Sequence, residues 1–254
     1  MKRKGKIPGR YHKTLKEQVR ENPRLAAVYV ILRVLVVLAL VAQVFNGNFE
    51  NVFLCVLTLI LFTIPSFIER TIRIDIPDTL EIIILLFIFA AEILGEIQAY
   101  YVQFPYWDTM LHTLNGFLCA AIGFSLLDIL NRDERLAFKL SPVYLAVVAF
   151  CFSMTIGVLW EFFEFGMDEM FGLDMQKDTV IHSIHSVLLD PTRTNTVVTI
   201  PNIQDVVING QSLGVGGYVD IGIIDTMKDL FVNFIGAVVF SFIGYFYVKS
   251  RGKG

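Results

Sequence analysis

The chain has 254 residues, of which 55% are hydrophobic and 18% are charged, with a mean hydropathy of +0.61 and a formal net charge of -3. A soluble globular protein would have about a quarter of its residues charged, so this composition argues against that class. The three cysteines are isolated within apolar runs, and their spacing excludes the paired motifs of zinc and redox sites.

Six apolar segments are long enough to cross the hydrocarbon core of a bilayer, which takes about 20 helical residues. The sequence therefore predicts an all-α polytopic membrane protein with six transmembrane helices. These segments are 25–45, 52–68, 79–101, 109–130, 142–165 and 225–248. Residues 1–24 form a basic tail, and residues 25–254 form the predicted transmembrane domain. The first segment is interpreted as a span because its apolar core is long and no A-x-A cleavage site follows it.

Basic residues alternate between successive connections. Nine lie in residues 2–24, whereas residues 46–51 and 102–108 contain none and residues 166–224 contain two. The remaining ones that set the pattern are Arg70, Arg73, Arg132, Arg135, Lys139, Lys249, Arg251 and Lys253. Because basic residues stay on the cytoplasmic side of a membrane, we expect cytoplasmic N- and C-termini. The basic tail is expected to contact anionic lipid headgroups and not nucleic acid.

The connection before the last span is too polar to cross a membrane and too long for a turn. Residues 172–222 are therefore predicted to form a small extracytoplasmic cap between helices five and six. Within it, residues 178–189 have helical character, whereas 196–200 and 204–208 are typical of short strands. The second of these strands runs into an Asn209-Gly210 turn. Loops of this length in compact proteins are usually functional or disordered, and the Val and Ile content favours order.

Carboxylates recur at the predicted extracytoplasmic ends of spans three to six. On each span they are three, four or seven residues apart, which places them on one helix face. They are Glu92 and Glu96, then Asp108 with His112, then Glu161, Glu164 and Asp168, and finally Asp225 and Asp229. Ionisable groups at membrane depth are costly unless they are paired or hydrated. We therefore expect that several hold protons or that a metal cation neutralises them.

A carboxylate and an imidazole lie on one helix face at Asp108 and His112. Together with Glu161, Asp225 and Asp229 they resemble the carboxylate-histidine sites that bind divalent metals in helical bundles. The sequence does not identify the metal. Further candidate ligands are Glu92, Glu96, His182 and His185, although loop packing is the alternative for the last two.

Helix capping is the alternative for some of these carboxylates. Asp108 and Asp225 begin predicted helices, where a carboxylate can accept hydrogen bonds from free backbone N–H groups. For these two residues both interpretations stay open, whereas capping is favoured for Asp168 and Asp178. Capping fits poorly for the residues that lie a turn or more inside their helices, which are Glu92, Glu161 and Asp229.

Three short motifs together resemble one family. They are Trp107-Asp108-Thr109-Met110-Leu111-His112 through Gly116, then Trp160-Glu161-Phe162-Phe163-Glu164, and Asp225-Thr226-Met227-Lys228-Asp229 with Gly236-Ala237. Over roughly the last four spans the chain resembles the YjdF-type bacterial inner-membrane proteins, a family of unknown function. The start of span four is also similar to VanZ-like membrane proteins. The resemblance implies a bacterial cytoplasmic (inner) membrane location and the motif positions Asp108, His112, Glu161, Glu164, Asp225 and Asp229, but no reaction.

Three functions of different classes are compatible with these residues. The first is a metal-dependent hydrolase or transferase acting on lipid or lipid-linked envelope substrates, with Glu161 and Glu164 as catalytic carboxylates and Glu164 as general base. The second is a cation- or proton-coupled transporter, and the third is a structural or assembly factor without catalytic activity. Transporter sites lie near the bilayer midplane, whereas these acids lie toward one face, which slightly favours the enzyme. Membrane lipids are the expected partners, and the oligomeric state is left open.

Overall fold

The computed structural model describes residues 22–73, 76–132 and 139–251. The predicted basic tail, residues 1–24, lies almost entirely outside the described residues. The chain divides into two compact units, residues 1–111 and 112–254, and the division falls within a long helix. Each unit is described by itself below.

The first unit is made of helices separated by short turns. They are α1 (Pro23–Asn46), α2 (Phe49–Leu61), α3 (Ile64–Ile68) with a π-helical continuation (Glu69–Arg73), α4 (Asp78–Phe89) with a π-helical continuation (Ala90–Ile97), and α5 (Tyr100–Gln103). Helix α1 ends at Gly47, whose φ of 71° suits glycine, and α2 begins where the Asn48 side chain accepts the backbone N–H of Asn51. Leu32 and Val36 of α1 belong to the apolar core of this unit, together with Cys55, Phe62 and Leu85.

The second unit is built mainly from three long helices, which are α6 (Trp107–Arg132), α7 (Pro142–Phe171) and α8 (Ile223–Arg251). Helix α7 starts with Ser141, which accepts the backbone N–H of Tyr144, and ends at Gly172 with a φ of 65°. Phe124 of α6 and Leu145 and Ala149 of α7 form a buried apolar cluster, against which Phe240 and Val248 of α8 pack.

Glycines bring the backbones of α6 and α8 into direct contact. A Cβ atom added to Gly116 would lie 2.0 Å from the backbone oxygen of Asn233, and one added to Gly236 would lie 2.0 Å from that of Thr113. Only glycine permits the helices to approach this closely.

Among the described residues, five helices are long and apolar enough to cross a membrane, which confirms the all-α polytopic membrane class. They are Pro23–Asn46, Phe49–Thr71, Trp107–Asp128, Pro142–Phe171 and Ile223–Ser250. The third predicted span, residues 79–101, is helical in α4 and its π-helical continuation as far as Ile97. The helical stretch from Asp78 to Ile97 carries four acidic residues, Asp78, Glu81, Glu92 and Glu96. This charge keeps it from being identified as a membrane span by hydropathy. A sixth span therefore stays a prediction.

Between α7 and α8 the chain forms three small antiparallel sheets. Strand β1 (Val180–Ile181) pairs with β6 (Tyr218–Val219), β2 (Ile184–Ser186) with β3 (Val198–Ile200), and β4 (Val207–Ile208) with β5 (Gln211–Ser212). The predicted strands and the Asn209-Gly210 turn are confirmed, and both turn residues have the positive φ values, 55° and 83°, of a two-residue hairpin.

The predicted helix over residues 178–189 is wrong. This stretch contains β1, β2 and a 3₁₀ turn (Val187–Leu189). Its β-branched residues Val180, Ile181 and Ile184 fit a pleated strand, and their hydrogen-bonding partners lie at positions 219, 218 and 200. Pairing with such distant residues overrides the weak helical period of the local sequence.

A tight turn follows the 3₁₀ segment and is organised by the Asp190 carboxylate. Asp190 accepts hydrogen bonds from the hydroxyl and backbone N–H of Thr192, at 2.6 and 2.9 Å, and from the backbone N–H groups of Thr194 and Thr196, at 2.9 and 3.1 Å. These donors, the Thr192 hydroxyl first, hold the pKa of the Asp190 carboxyl well below its usual range.

Candidate cation site around His112

His112, Glu161 and Asp229 come from the three long helices of the second unit. His112 lies roughly one and a half turns into α6, Asp229 roughly one and a half turns into α8, and Glu161 roughly three turns before the end of α7. Helix α7 runs antiparallel to α8, since residues at its start pack against the end of α8. The three side chains therefore gather toward the same end of this helix set.

The imidazole ring of His112 lies between two carboxylates. Its Nδ1 atom is 3.9 Å from Glu161 Oε1, and its Nε2 atom is 3.8 Å from Asp229 Oδ2. The three side chains are 12%, 5% and 3% exposed, respectively. Both distances exceed the hydrogen-bond range of about 2.7–3.2 Å. The carboxylates therefore act on the ring through charge, and they favour a bound positive charge at this position.

Asp108 precedes His112 by one turn of α6 and adds a further carboxylate on the same helix face. A carboxylate oxygen of Asp229 lies within 4.8 Å of a His112 ring nitrogen. Tetrahedral metal bonds of about 2.0–2.1 Å would place two ligand atoms about 3.4 Å apart. The 3.8 Å separation between His112 and Asp229 is therefore a few tenths of an ångström longer than this ideal.

A layer of uncharged polar side chains lies one turn deeper in the bundle. Asn115 Nδ2 donates to Asn233 Oδ1 at 3.0 Å, and Ser153 Oγ donates to the backbone oxygen of Gly116 at 2.7 Å. Asn233 is fully enclosed, because a Cβ atom on Gly157 would lie 2.7 Å from its Nδ2 atom. No role was predicted for Asn115 or Ser153 from the sequence. Their polarity within apolar helices was the available signal.

Asp168 and Asp225, which lie nearer the helix ends, accept hydrogen bonds from backbone N–H groups of the cap. Asp168 accepts from Met175 at 2.6 Å and from Gln176 at 2.9 Å, which agrees with the structural role predicted for it. Asp225 Oδ2 accepts the backbone N–H of Lys177 at 2.7 Å. Both carboxylates thus attach the first cap residues to the ends of α7 and α8. The metal-ligand role of Asp225 stays a prediction.

Glu164, the predicted general base, lies one turn after Glu161 on α7. Its Oε1 atom accepts a hydrogen bond from Trp160 Nε1 at 2.8 Å, and the side chain is buried. The indole fixes the orientation of this carboxylate. Trp160 therefore positions the Glu164 carboxylate.

The two cap histidines have local partners. His182 Nδ1 is 3.0 Å from the backbone oxygen of Ile203, and His185 Nδ1 is 2.9 Å from Thr199 Oγ1. Both residues are exposed. Within the described part of the chain, no group of three potential metal ligands includes either of them. These contacts agree with the loop-packing alternative.

Glu92 and Glu96 belong to the first unit and lie on the π-helical segment Ala90–Ile97. Glu92 is buried, and among the described residues its Oε2 atom has no hydrogen-bond partner. Their role as further ligands stays a prediction.

Asp178 lies near several other carboxylates at the start of the cap. Partial burial raises its pKa above the usual range, and the neighbouring carboxylates of Asp174, Asp220 and Asp168 raise it further. Asp220 itself accepts the backbone N–H groups of Thr179, at 2.7 Å, and of Ile224, at 2.8 Å. The carboxylates that fix the cap therefore also disfavour the ionised form of Asp178.

Comparison with known proteins gives a family without a described activity. An uncharacterized protein of Thermotoga maritima is 26% identical over 131 residues, which is 49% of this chain and 64% of that protein. The chain thus matches less than two thirds of the length of this relative. No solved structure matches the chain. The family described as "Predicted membrane protein (DUF2238)" matches residues 27–250, and the chain belongs to this family.

Proposed function

We propose that His112 and Asp229 bind a divalent cation, with Asp108, one turn earlier on α6, as a further ligand, and that the protein is a metal-dependent membrane enzyme acting on lipid or lipid-linked envelope substrates. The observation that carries the proposal is the 3.8 Å approach of Asp229 Oδ2 to His112 Nε2, with the Glu161 carboxylate 3.9 Å from the opposite ring nitrogen, Nδ1, where it would orient the imidazole.

The chemistry of the donors supports a cation. Carboxylate and imidazole groups on facing helices are the ligands that helical bundles use for divalent metals. Three carboxylates around one imidazole leave an excess of negative charge, even when the ring is protonated. Asp229 and Glu161 are nearly fully buried, where uncompensated charge is costly. A divalent cation would offset this excess.

A bound cation would supply an acidic coordinated water, because metals lower the pKa of water to near neutrality. Glu161 and Glu164 would serve as the acid–base groups. Glu164 is the better candidate for general base, since Trp160 fixes its orientation at 2.8 Å. A lipid substrate is proposed because the site lies within helices that are apolar enough to cross a membrane.

Metal binding is tested on the purified full chain in detergent, stripped with a chelator and titrated with Zn²⁺ and Mn²⁺ by isothermal calorimetry. We expect about one cation per chain for at least one of these metals. His112→Ala and Asp229→Asn should each weaken its binding by about 10- to 100-fold or more. His182→Ala and Glu169→Gln are matched controls, an exposed cap histidine and an exposed carboxylate of α7, and should leave binding unchanged.

Catalysis is tested separately, by incubating the metal-loaded protein with vesicles of bacterial envelope lipids and following the lipids by mass spectrometry. Conversion of one lipid class that requires both the metal and Glu164 supports the enzyme. Absence of cation binding in the wild-type protein, or equal binding in the His112→Ala and His182→Ala variants, would refute the site.

Proton- or cation-coupled transport is a second candidate, favoured by the polar layer of Asn115, Asn233 and Ser153. This layer extends the polar path from His112 one turn further into the bundle. Proteoliposomes with an internal pH dye or cation dye test it. Ion flux that is lost in Asn233→Leu, while cation binding at His112 persists, would favour the transporter over the enzyme.

The membrane side of the site is also part of the proposal. The distribution of basic residues supports cytoplasmic termini, which would place His112 toward the extracytoplasmic face of a bacterial inner membrane. The YjdF-type affiliation is proposed on the three motifs quoted above, with which membership of DUF2238 is consistent.

A further inference from the structure

An apolar groove runs between α7 and α8, toward the helix ends that are remote from His112. It has a volume of about 470 Å³, and its lining includes Val143, Ala146, Val147 and Phe150 of α7 and residues between Phe234 and Tyr245 of α8. Both helices are apolar enough to span a membrane. The groove therefore opens on a surface that would face acyl chains.

The length of the groove matches one leaflet of a bilayer. The stretch of α8 from Phe234 to Tyr245 is about 16 Å long at 1.5 Å per residue. Half of a hydrocarbon core of roughly 30 Å is about 15 Å. The groove is thus long enough to hold the ester region and the first part of one acyl chain of a lipid within a single leaflet.

One buried polar group faces this apolar groove. Ser241 lines it and is 8% exposed, and its Oγ atom has no hydrogen-bond partner within the described residues. A serine inside a helix either points to solvent or bonds the carbonyl four residues earlier, and the Ser241 hydroxyl does neither. A buried hydroxyl without a partner is costly. An acceptor supplied by a ligand in the groove would remove this cost.

A positive charge, that of Lys249, lies next to Tyr245 at one end of the groove. Lys249 Nζ donates to Tyr245 Oη at 3.1 Å and lies 5.2 Å from the centre of the same ring. Tyr245 lines the groove one helical turn beyond Ser241. Lys249 follows Val248, which packs against the cluster of Leu145 and Ala149 near the start of α7. The ammonium group is therefore placed to meet an anionic headgroup.

We propose that this groove binds one acyl chain of an anionic phospholipid, with the lipid phosphate at Lys249 and an ester carbonyl oxygen at Ser241 Oγ. The order of groups along the groove, from cation to hydroxyl to apolar wall, is the order of groups in such a lipid. The predicted orientation places this end at the cytoplasmic leaflet, where anionic lipids give a negative surface potential. The lipid site is independent of cation binding at His112.

Native mass spectrometry of the purified full chain tests the proposal, with dioleoylphosphatidylglycerol and dioleoylphosphatidylcholine added separately. The wild-type protein should retain one phosphatidylglycerol about fivefold better than phosphatidylcholine, the preference expected for one lysine at a headgroup. Val147→Trp should fill the groove and abolish retention of that lipid. Leu159→Trp is the matched control, because both residues lie on α7 and are 53% and 54% exposed, and Leu159 does not line the groove.

Two further variants separate the headgroup from the chain. Lys249→Gln should reduce the preference for phosphatidylglycerol to near one, whereas Lys228→Gln, on the same helix and far from the groove, should keep it. Ser241→Ala should weaken binding of the diester lipid and leave binding of the matching diether lipid unchanged.

Equal retention of the two lipids by the wild-type protein would overturn the proposal, as would unchanged retention in Val147→Trp. Mass spectra showing dimers that Val147→Trp dissociates would overturn it in favour of a second copy of the chain in the groove. Circular dichroism and thermal melting of each variant show that a lost lipid is not a consequence of unfolding.

Discussion

Substituting Gly116 with alanine should damage both the helix packing and the candidate cation site. The new Cβ would lie 2.0 Å from the Asn233 backbone oxygen, and real Cβ contacts are essentially never under 3.0 Å. Helices α6 and α8 must therefore separate by about 1 Å, since backbone atoms cannot rotate away. Overpacking of this kind costs about 1–3 kcal/mol.

The same displacement reaches the site because His112 lies one turn before Gly116, and Asp229 lies one turn before Asn233. A separation of about 1 Å would lengthen the 3.8 Å distance between His112 and Asp229 to almost 5 Å. Metal-ligand bonds tolerate errors of only about 0.2 Å. We therefore expect Gly116→Ala to weaken cation binding at least tenfold, although the substitution leaves every proposed ligand in place.

Gly166→Ala is the matched control on α7. Its Cβ would lie 3.6 Å from Met170 Cε, an ordinary contact, so the higher helix propensity of alanine should stabilise the protein by about 0.5–1 kcal/mol. Thermal unfolding in detergent and calorimetric titration of Zn²⁺ and Mn²⁺ measure the two effects. A Gly116→Ala variant that melts at or above the temperature of Gly166→Ala would refute the proposed backbone contact between α6 and α8.

Three further substitutions test local features. Asp178→Asn should raise Tm at pH 7, because the raised pKa of Asp178 means that its ionised form opposes folding. The gain should shrink as the pH falls through the raised pKa and vanish below about pH 3.9, the ordinary Asp pKa, whereas a loss at pH 7 would contradict this. Asp190→Asn should speed proteolysis of the turn at residues 190–196 at neutral pH, because the lowered pKa of Asp190 means that its carboxylate stabilises the turn. The difference from wild type should shrink as the pH falls below about 4, toward the folded-state pKa, and a pH-independent difference would refute the charge argument. Ser153→Ala should lower the free energy of unfolding by about 1 kcal/mol, because it removes the 2.7 Å hydrogen bond to the Gly116 backbone oxygen on α6. Thr155→Ala removes a hydrogen bond within α7 and should cost less. Equal melting temperatures of the two variants would exclude the interhelical contribution.

The long helices were predictable because their signal is contained in the local sequence. A run of about 20 apolar residues specifies a membrane helix without reference to the rest of the chain. The Asn209-Gly210 hairpin was predictable for the same reason, since its two residues alone favour the required positive φ values. The pairing of β1 with β6 depends on residues almost 40 positions apart, and no local period contains it.

The candidate site was predictable in its residue types and only partly in its arrangement. Spacing placed Asp108 with His112 on one helix face, and orientation placed Asp229 at a depth similar to that of His112. The structure puts the Asp229 carboxylate 3.8 Å from the His112 ring. The bond between Asn115 and Asn233 joins residues 118 positions apart and follows from the close crossing that Gly116 permits. Helix periodicity gives the face of each side chain, but the facing partner depends on how the helices pack.

The β4–β5 hairpin is a local structure, because its strand pairing and its turn involve only residues near 205–214. The tip of the hairpin is exposed. Short exposed turns of this kind tolerate inserted sequence. An epitope tag placed between Asn209 and Gly210 would therefore be displayed without disturbing the bundle. Antibody access to that tag in intact and permeabilised cells would reveal which membrane side the cap occupies, and so which compartment the His112 end of the bundle faces.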